Sequence, residues 1–154
     1  MIEAYLPRPD ELWLRRKMLA DEATMAYNRA YSGTVDFPEE RWLDWYGRWV
    51  AHPEGRYYRY LRESASGEFV GEIAYHFDGE KYLADVIVYA PYRRRGYGAA
   101  GLALLCAAAK ENGVGVLYDD IAADNPSVAL FLRCGFSVEY RTDQIVMVKK
   151  VLAK

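Results

Sequence analysis

The chain changes period at residue 56, and the residues beyond that point fix most of the architecture. "RYYRYLRE" and "EFVGEIAYHF" read as strands on either side of the turn signal Ser64-Ala65-Ser66-Gly67, and Asp78-Gly79 separates them from a third strand, "YLADVIVY" (82–89). Connections this short join antiparallel neighbours, so the spacing predicts a meander. The third strand runs into a glycine-bearing loop and then into an alanine-rich apolar stretch, 97–111, closed by Asn112-Gly113. That stretch reads as a buried helix with a glycine C-cap.

Downstream, "VGVLYDDI" (114–121) is a strand and Asn125-Pro126 starts a helix that runs to about Cys134. Two last strands, about 136–141 and 144–151, form a hairpin around Thr142-Asp143. Upstream, residues 2–6 suit a short strand ended by Pro7. A helix follows from Asp10, with Leu12, Leu14, Met18 and Leu19 apolar and Arg15, Arg16 and Lys17 exposed. A second helical stretch covers about 21–31, and a third starts at Asp36-Phe37-Pro38-Glu39 and sets Trp42, Trp45 and Trp49 on one face. With no repeat, linker or low-complexity segment, residues 1–154 read as one α/β domain.

Charge and cysteine usage remove several function classes. A net charge of −2 gives no electrostatic reason to bind nucleic acid. No apolar run approaches the roughly 18 residues that a membrane span needs, and the N-terminus has no signal-peptide pattern. Cys106 and Cys134 are then expected to be reduced thiols of a cytoplasmic protein. Neither sits in a metal-ligand spacing and the histidines number two, so no metal site is expected.

The loop itself carries two overlapping motifs. Gly96-Tyr97-Gly98-Ala99-Ala100-Gly101 is a literal dinucleotide fingerprint, and Asp119 and Asp120 lie near the distance at which that fingerprint wants an acid. Against it, the preceding strands form a meander and about 60 residues remain, too few for two mononucleotide halves. A P-loop is excluded because no Gly-Lys-Ser/Thr follows. The alternative frame, Arg93-Arg94-Arg95-Gly96-Tyr97-Gly98, places free N–H groups and a helix dipole where a pyrophosphate can sit. Gly96 and Gly98 admit its close approach, and Arg93, Arg94 and Arg95 supply mobile positive charge at the rim.

In this frame the stretch resembles the GNAT superfamily of acetyl-CoA-dependent N-acetyltransferases, whose signature Arg/Gln-x-x-Gly-x-Gly/Ala joins the fourth strand to the next helix. Val88, five residues before the motif, stands where the family has a strand-ending valine. Ala90 replaces the family's proline, with Pro91 one place later, and "DNPSVALFLRCGF" (124–136) resembles the family's second motif. The resemblance implies a mixed, mostly antiparallel sheet with helices on both faces, splayed between the strands at 82–89 and 114–121. It further implies that acetyl-CoA is held by Val86, Ile87, Val88, the arginine–glycine loop with Tyr97 and Ala99, Asn125 and Phe131. An amine of a small molecule would attack the thioester directly.

Phe131 is a departure. The family usually has a tyrosine there, acting as acid toward the leaving thiolate. A thiol of pKa about 8.5 can leave as the anion, and Tyr118 on the preceding strand is an alternative donor. For the base that deprotonates the amine, Asp85 is the first candidate, since an acid within "VIV" is costly unless it has a role. Glu72 and His76, on one face of the neighbouring strand, are the others. Tyr27, Tyr31, Trp45 and Asp119 are candidates for the acceptor's wall, against ordinary packing for the aromatic residues and simple solvation for the acid. A non-catalytic acyl-CoA-binding domain, an enzyme acting on a protein N-terminus or lysine, and a homodimer all stay open.

Overall fold

The meander is the middle of a larger sheet. In the computed structural model, which describes residues 1–26, 33–52 and 54–152, strands β1 (Ile2–Tyr5), β2 (Arg56–Glu63), β3 (Phe69–Phe77), β4 (Tyr82–Val88), β5 (Val116–Ala122), β6 (Ser137–Arg141) and β7 (Ile145–Val151) form one sheet in the order β1-β2-β3-β4-β5-β7-β6. All neighbours are antiparallel except β4 and β5. The helices are α1 (Trp13–Ala20), α2 (Trp42–Tyr46), α3 (Tyr97–Glu111) and α4 (Ser127–Arg133). Residues 21–26 form turns rather than a helix, and α2 gives way at Gly47–Ala51 to a wider helical turn. Among the described residues no helix is long and apolar enough to cross a membrane.

Alternation along the strands sends side chains to two cores. Leu61, Ile73, Tyr75, Ala84 and Leu117 pack under α3 and α4. Tyr58, Tyr60 and Ala74 pack against α1, α2 and the Phe37–Trp42–Trp45 aromatic cluster. Because both faces are covered, β3 is buried almost without a break from Val70 to Tyr75. Gly101, the last glycine of the apparent dinucleotide fingerprint, is used in packing: a Cβ there would meet Leu61 Cδ1 at 2.7 Å. Gly71 is tighter still, since a Cβ would strike the backbone oxygen of Ile87. Gly71→Ala therefore forces β3 and β4 apart, and urea unfolding is expected to show a loss of about 1–3 kcal/mol.

The parallel pair β4–β5 is joined at Tyr82↔Leu117 and Leu83↔Tyr118 only. Beyond those positions β4 stays paired to β3 as far as Gly71↔Val88, and β5 to β7 as far as Ala122↔Ile145. Each half of the sheet holds its own strand, so the sheet opens as a wedge. The splay expected between residues 82–89 and 114–121 is present, and it makes the cleft.

Candidate active site

The wedge is a cleft of about 760 Å³ lined by residues 83–88 of β4, residues 119–122 of β5, the Asn125–Phe131 segment and the loop that opens α3. Thr24, Met25, Trp49 and His76 line it as well.

At the α3 end the backbone is shaped for an anion. Arg94 (φ 66°) and Gly96 (φ 81°) both occupy the left-handed region, which is costly for an arginine and therefore informative. The first bond of the helix runs from Ala100 N–H to Gly96 O, 3.1 Å. The N–H groups of Tyr97, Gly98 and Ala99 thus precede every intrahelical acceptor and carry the positive end of the dipole. A Cβ on Gly98 would lie 3.1 Å from Leu130 Cδ2 and 3.9 Å from Val88 Cγ2, within the cleft wall.

The three arginines do not act alike. Arg93, expected to be mobile, is fixed: its guanidinium donates to the carbonyls of Val88 (3.1 Å), Ala23 (3.1 Å) and Thr24 (2.9 Å). With the Ala90 N–H to Thr24 Oγ1 bond (3.0 Å), it staples residues 23–24 to the end of β4. Arg95 turns away and lies over the Tyr92 ring at 5.5 Å, outside the cleft lining. Arg94 lines the cleft, joined there by Arg133 of α4.

The opposite end is built from carboxyl groups. Glu72, one of the residues expected as a base, is fully buried, and Arg15 Nη1 donates to both of its oxygens at 2.8 Å. Tyr58 OH donates to the same carboxylate, and burial together with Glu72 keeps that phenol protonated far above its usual range. Arg15, expected on an exposed face, is thus inserted between α1 and the sheet, stacked over Trp45 at 4.5 Å. Sequence reasoning missed it because nothing in "LWLRRKML" separates one arginine from the next.

Asp85 lies on the same face of the sheet as Glu72 and diagonal to it, since Ala74 pairs with Asp85 and Glu72 with Ile87. Its side chain is exposed to solvent in the open cleft. Burial first, and then the Glu72 carboxylate, push its carboxyl up to about 7, with Arg15 pulling the other way. Across the wedge, Asp119 is raised well above the ordinary carboxylate range by burial, by Asp85 and by Asp120. It is enclosed rather than simply solvated.

The aromatic candidates divide. Trp49 lines the cleft with its ring 5.8 Å from His76, edge to face. Trp45 is core, packed edge-on against Tyr58 at 4.8 Å. Tyr27 and Tyr31 lie outside the described residues. Tyr118 pairs with Leu83 at the closed end of the wedge, and its ring carries Lys81 Nζ at 5.0 Å rather than facing the cleft. Phe131 does line it, braced edge-on by Phe136 at 4.9 Å. Asn125 caps the following turn by accepting from Ser127 N–H at 2.9 Å and also lines the cleft. Among the described residues no group of three or more His, Cys, Asp or Glu side chains is arranged to hold a metal ion.

Comparison with known proteins gives one family. The model of the acetyltransferase (GNAT) family matches residues 17–136. A search of curated protein sequences finds no match. Solved structures share the fold at low identity. A spermidine N-acetyltransferase of Vibrio cholerae, in complex with CoA and spermine, is 12% identical (98% of this chain, 95% of that one, TM-score 0.83). A Salmonella typhimurium protein bound to acetyl-CoA is 17% identical (98% and 94%, TM-score 0.79). A ribosomal-protein-alanine N-acetyltransferase of Brucella melitensis is 23% identical (99% of each chain, TM-score 0.73).

Proposed function

The chain belongs to the GNAT acetyltransferase family, and we propose that it transfers the acetyl group of acetyl-CoA to a primary amine of a small cationic molecule, both substrates being held in the one cleft. The observation that carries the acceptor class is the pair Asp85 and Asp119. Both face the cleft, neither has an ion pair with a cationic side chain among the described residues, and Arg15 is committed to Glu72. An ammonium group between them would favour the ionised form of both carboxyls, which is otherwise disfavoured there, and Trp49 and His76 give it an aromatic wall.

Acetyl-CoA fits the other end. The N–H groups of Tyr97, Gly98 and Ala99 and the Arg94 guanidinium receive its pyrophosphate. The free edge of β4 beyond Leu83 offers backbone partners for the amides of its pantetheine arm. It supplies a thioester carbonyl, and the chain supplies the proton path. Asp85 takes a proton from the acceptor's ammonium, the freed amine forms the C–N bond, the C–S bond breaks with its electron pair on sulfur, and the nitrogen releases its second proton to water in the open cleft. Phe131 donates no proton, so the sulfur leaves as a thiolate and later takes a proton from solvent.

Two measurements test this. Acetyl-CoA at about 100 times its dissociation constant should stabilise the protein by roughly 2.7 kcal/mol, seen as a rise in Tm, and NAD should give none. In Gly98→Val the branched side chain fills the approach to the cradle, so the acetyl-CoA shift should disappear from a protein that still folds. An unchanged shift makes the loop a simple turn. Thiol release from acetyl-CoA should then be faster with diamines and polyamines than with amines lacking a second charge. Preference for a peptide with an N-terminal alanine or a lysine would move the acceptor to protein, and binding without turnover on any amine would favour a non-catalytic domain.

A further inference from the structure

We propose that Glu72 and Arg15 are positioning residues of this site, a buried ion pair whose carboxylate holds negative charge beside Asp85 and so sets the protonation of the base. The inference rests on the reading of Asp85 as the residue that deprotonates the acceptor. Glu72 cannot take that part itself. It has no exposure, and its oxygens are occupied by Arg15 and Tyr58.

Glu72 lies diagonal to Asp85 on one face of β3 and β4, since Glu72 pairs with Ile87 and Ala74 with Asp85, and acts on Asp85 as a like charge and as a hydrogen-bond partner of its protonated form. A like charge close by disfavours a second ionised carboxyl. Arg15 pairs with the Glu72 carboxylate by two hydrogen bonds at 2.8 Å from one nitrogen, and Tyr58 adds a third donor. The negative charge therefore stays on Glu72 and the proton is displaced to Asp85, the member of the pair that faces the cleft.

The other groups around Asp85 are Asp119 and Asp120 of β5, across the wedge, and His76 of β3, which lies on the same face as Glu72. Tyr58 of β2 and Arg15 of α1 complete the set. Arg15 acts on Asp85 in the opposite sense to Glu72, and the Glu72 effect is the larger. The arrangement raises the Asp85 carboxyl toward neutrality, the range in which a base both accepts and releases a proton readily.

The test is the titration of Asp85 by carbon-13 NMR of aspartate-labelled full-length protein, its signal assigned by loss in Asp85→Asn. Wild type should titrate near neutrality. In Glu72→Gln, which keeps an acceptor for Arg15 and Tyr58, the like charge is gone and Arg15 turns its field on Asp85. The midpoint should fall by about 1–2 pH units. The double variant Arg15→Met/Glu72→Gln removes the pair as a unit and protects the fold from an orphaned charge. Its midpoint should lie below wild type and above Glu72→Gln, and it decides the matter alone if the single variant does not fold.

With one acceptor throughout, kcat/KM at pH 6 relative to pH 8 should rise about five- to ninefold in Glu72→Gln. A structural role for the pair would not move that ratio. An Asp85 midpoint unchanged in the folded variants overturns the inference. The NMR readout needs no turnover, so it separates this inference from the proposed reaction: shifted midpoints in a protein that acetylates no amine uphold the electrostatic coupling and defeat only the reaction.

Discussion

Asp85→Asn should lower kcat/KM at neutral pH by about 10²–10⁴, the usual cost of losing a general base, and should raise the melting temperature of the ligand-free protein. The two effects have one cause. The Asp85 carboxyl is pushed up to about 7 by burial and by Glu72, whereas in the unfolded chain it titrates near about 3.9. Between those values the folded protein binds a proton that the unfolded chain does not. Stability from this group is therefore full below about pH 4 and is lost as pH rises through about 7. Asparagine carries no charge, so the gain in Tm over wild type should be near zero at pH 4 and positive but small at pH 8, because water in the cleft screens the exposed carboxylate. Acetyl-CoA binding should be little altered, because Asp85 lies away from the loop that opens α3. Phe131→Tyr should change the rate by only a few-fold. Activity within a few-fold of wild type in Asp85→Asn would transfer the base to His76 or to water. A large rate gain in Phe131→Tyr would make thiolate departure limiting.

The parts of the molecule legible in the sequence were those set by local pattern. Period-2 runs bounded by Ser64–Gly67 and Asp78-Gly79 placed β2, β3 and β4, and Asn112-Gly113 placed the end of α3. The cleft followed from the order of these elements, through the resemblance carried by residues 93–98. What the sequence did not disclose were contacts between distant segments. Arg93 matches a motif position, but two of its three partners are carbonyls some 70 residues earlier, and a carbonyl leaves no mark in a sequence. Arg15 and Glu72 are 57 residues apart, and each alone has the look of a surface charge. The α2 region was misjudged for a different reason. Its three tryptophans have helical spacing, but Gly47 falls between Trp45 and Trp49, and the helix loosens there, so Trp45 goes to the core and Trp49 to the cleft.

Arg15→Met should be the most destabilising of these substitutions, by about 3–5 kcal/mol in urea unfolding, because it strands a buried carboxylate. Glu72 is 1% exposed and Arg15 only 18%, so water does not reach the pair freely enough to replace the guanidinium. Methionine retains much of the apolar stem, which separates loss of charge from loss of packing. The contacts of the guanidinium with Trp45 at 4.5 Å and Phe37 at 5.4 Å are lost as well, and add to the cost. If charge is the cause, Glu72→Gln in the same protein should restore most of the stability, since removing both members of a buried pair is often close to neutral. If packing between α1 and the sheet is the cause, the double variant should be as unstable as Arg15→Met. Where Arg15→Met still folds, acetyl-CoA should raise its Tm as much as that of wild type, because the cradle of Tyr97, Gly98 and Ala99 belongs to α3 and packs on the opposite face of the sheet from α1. A lost acetyl-CoA shift would instead mean that the splay itself depends on the ion pair.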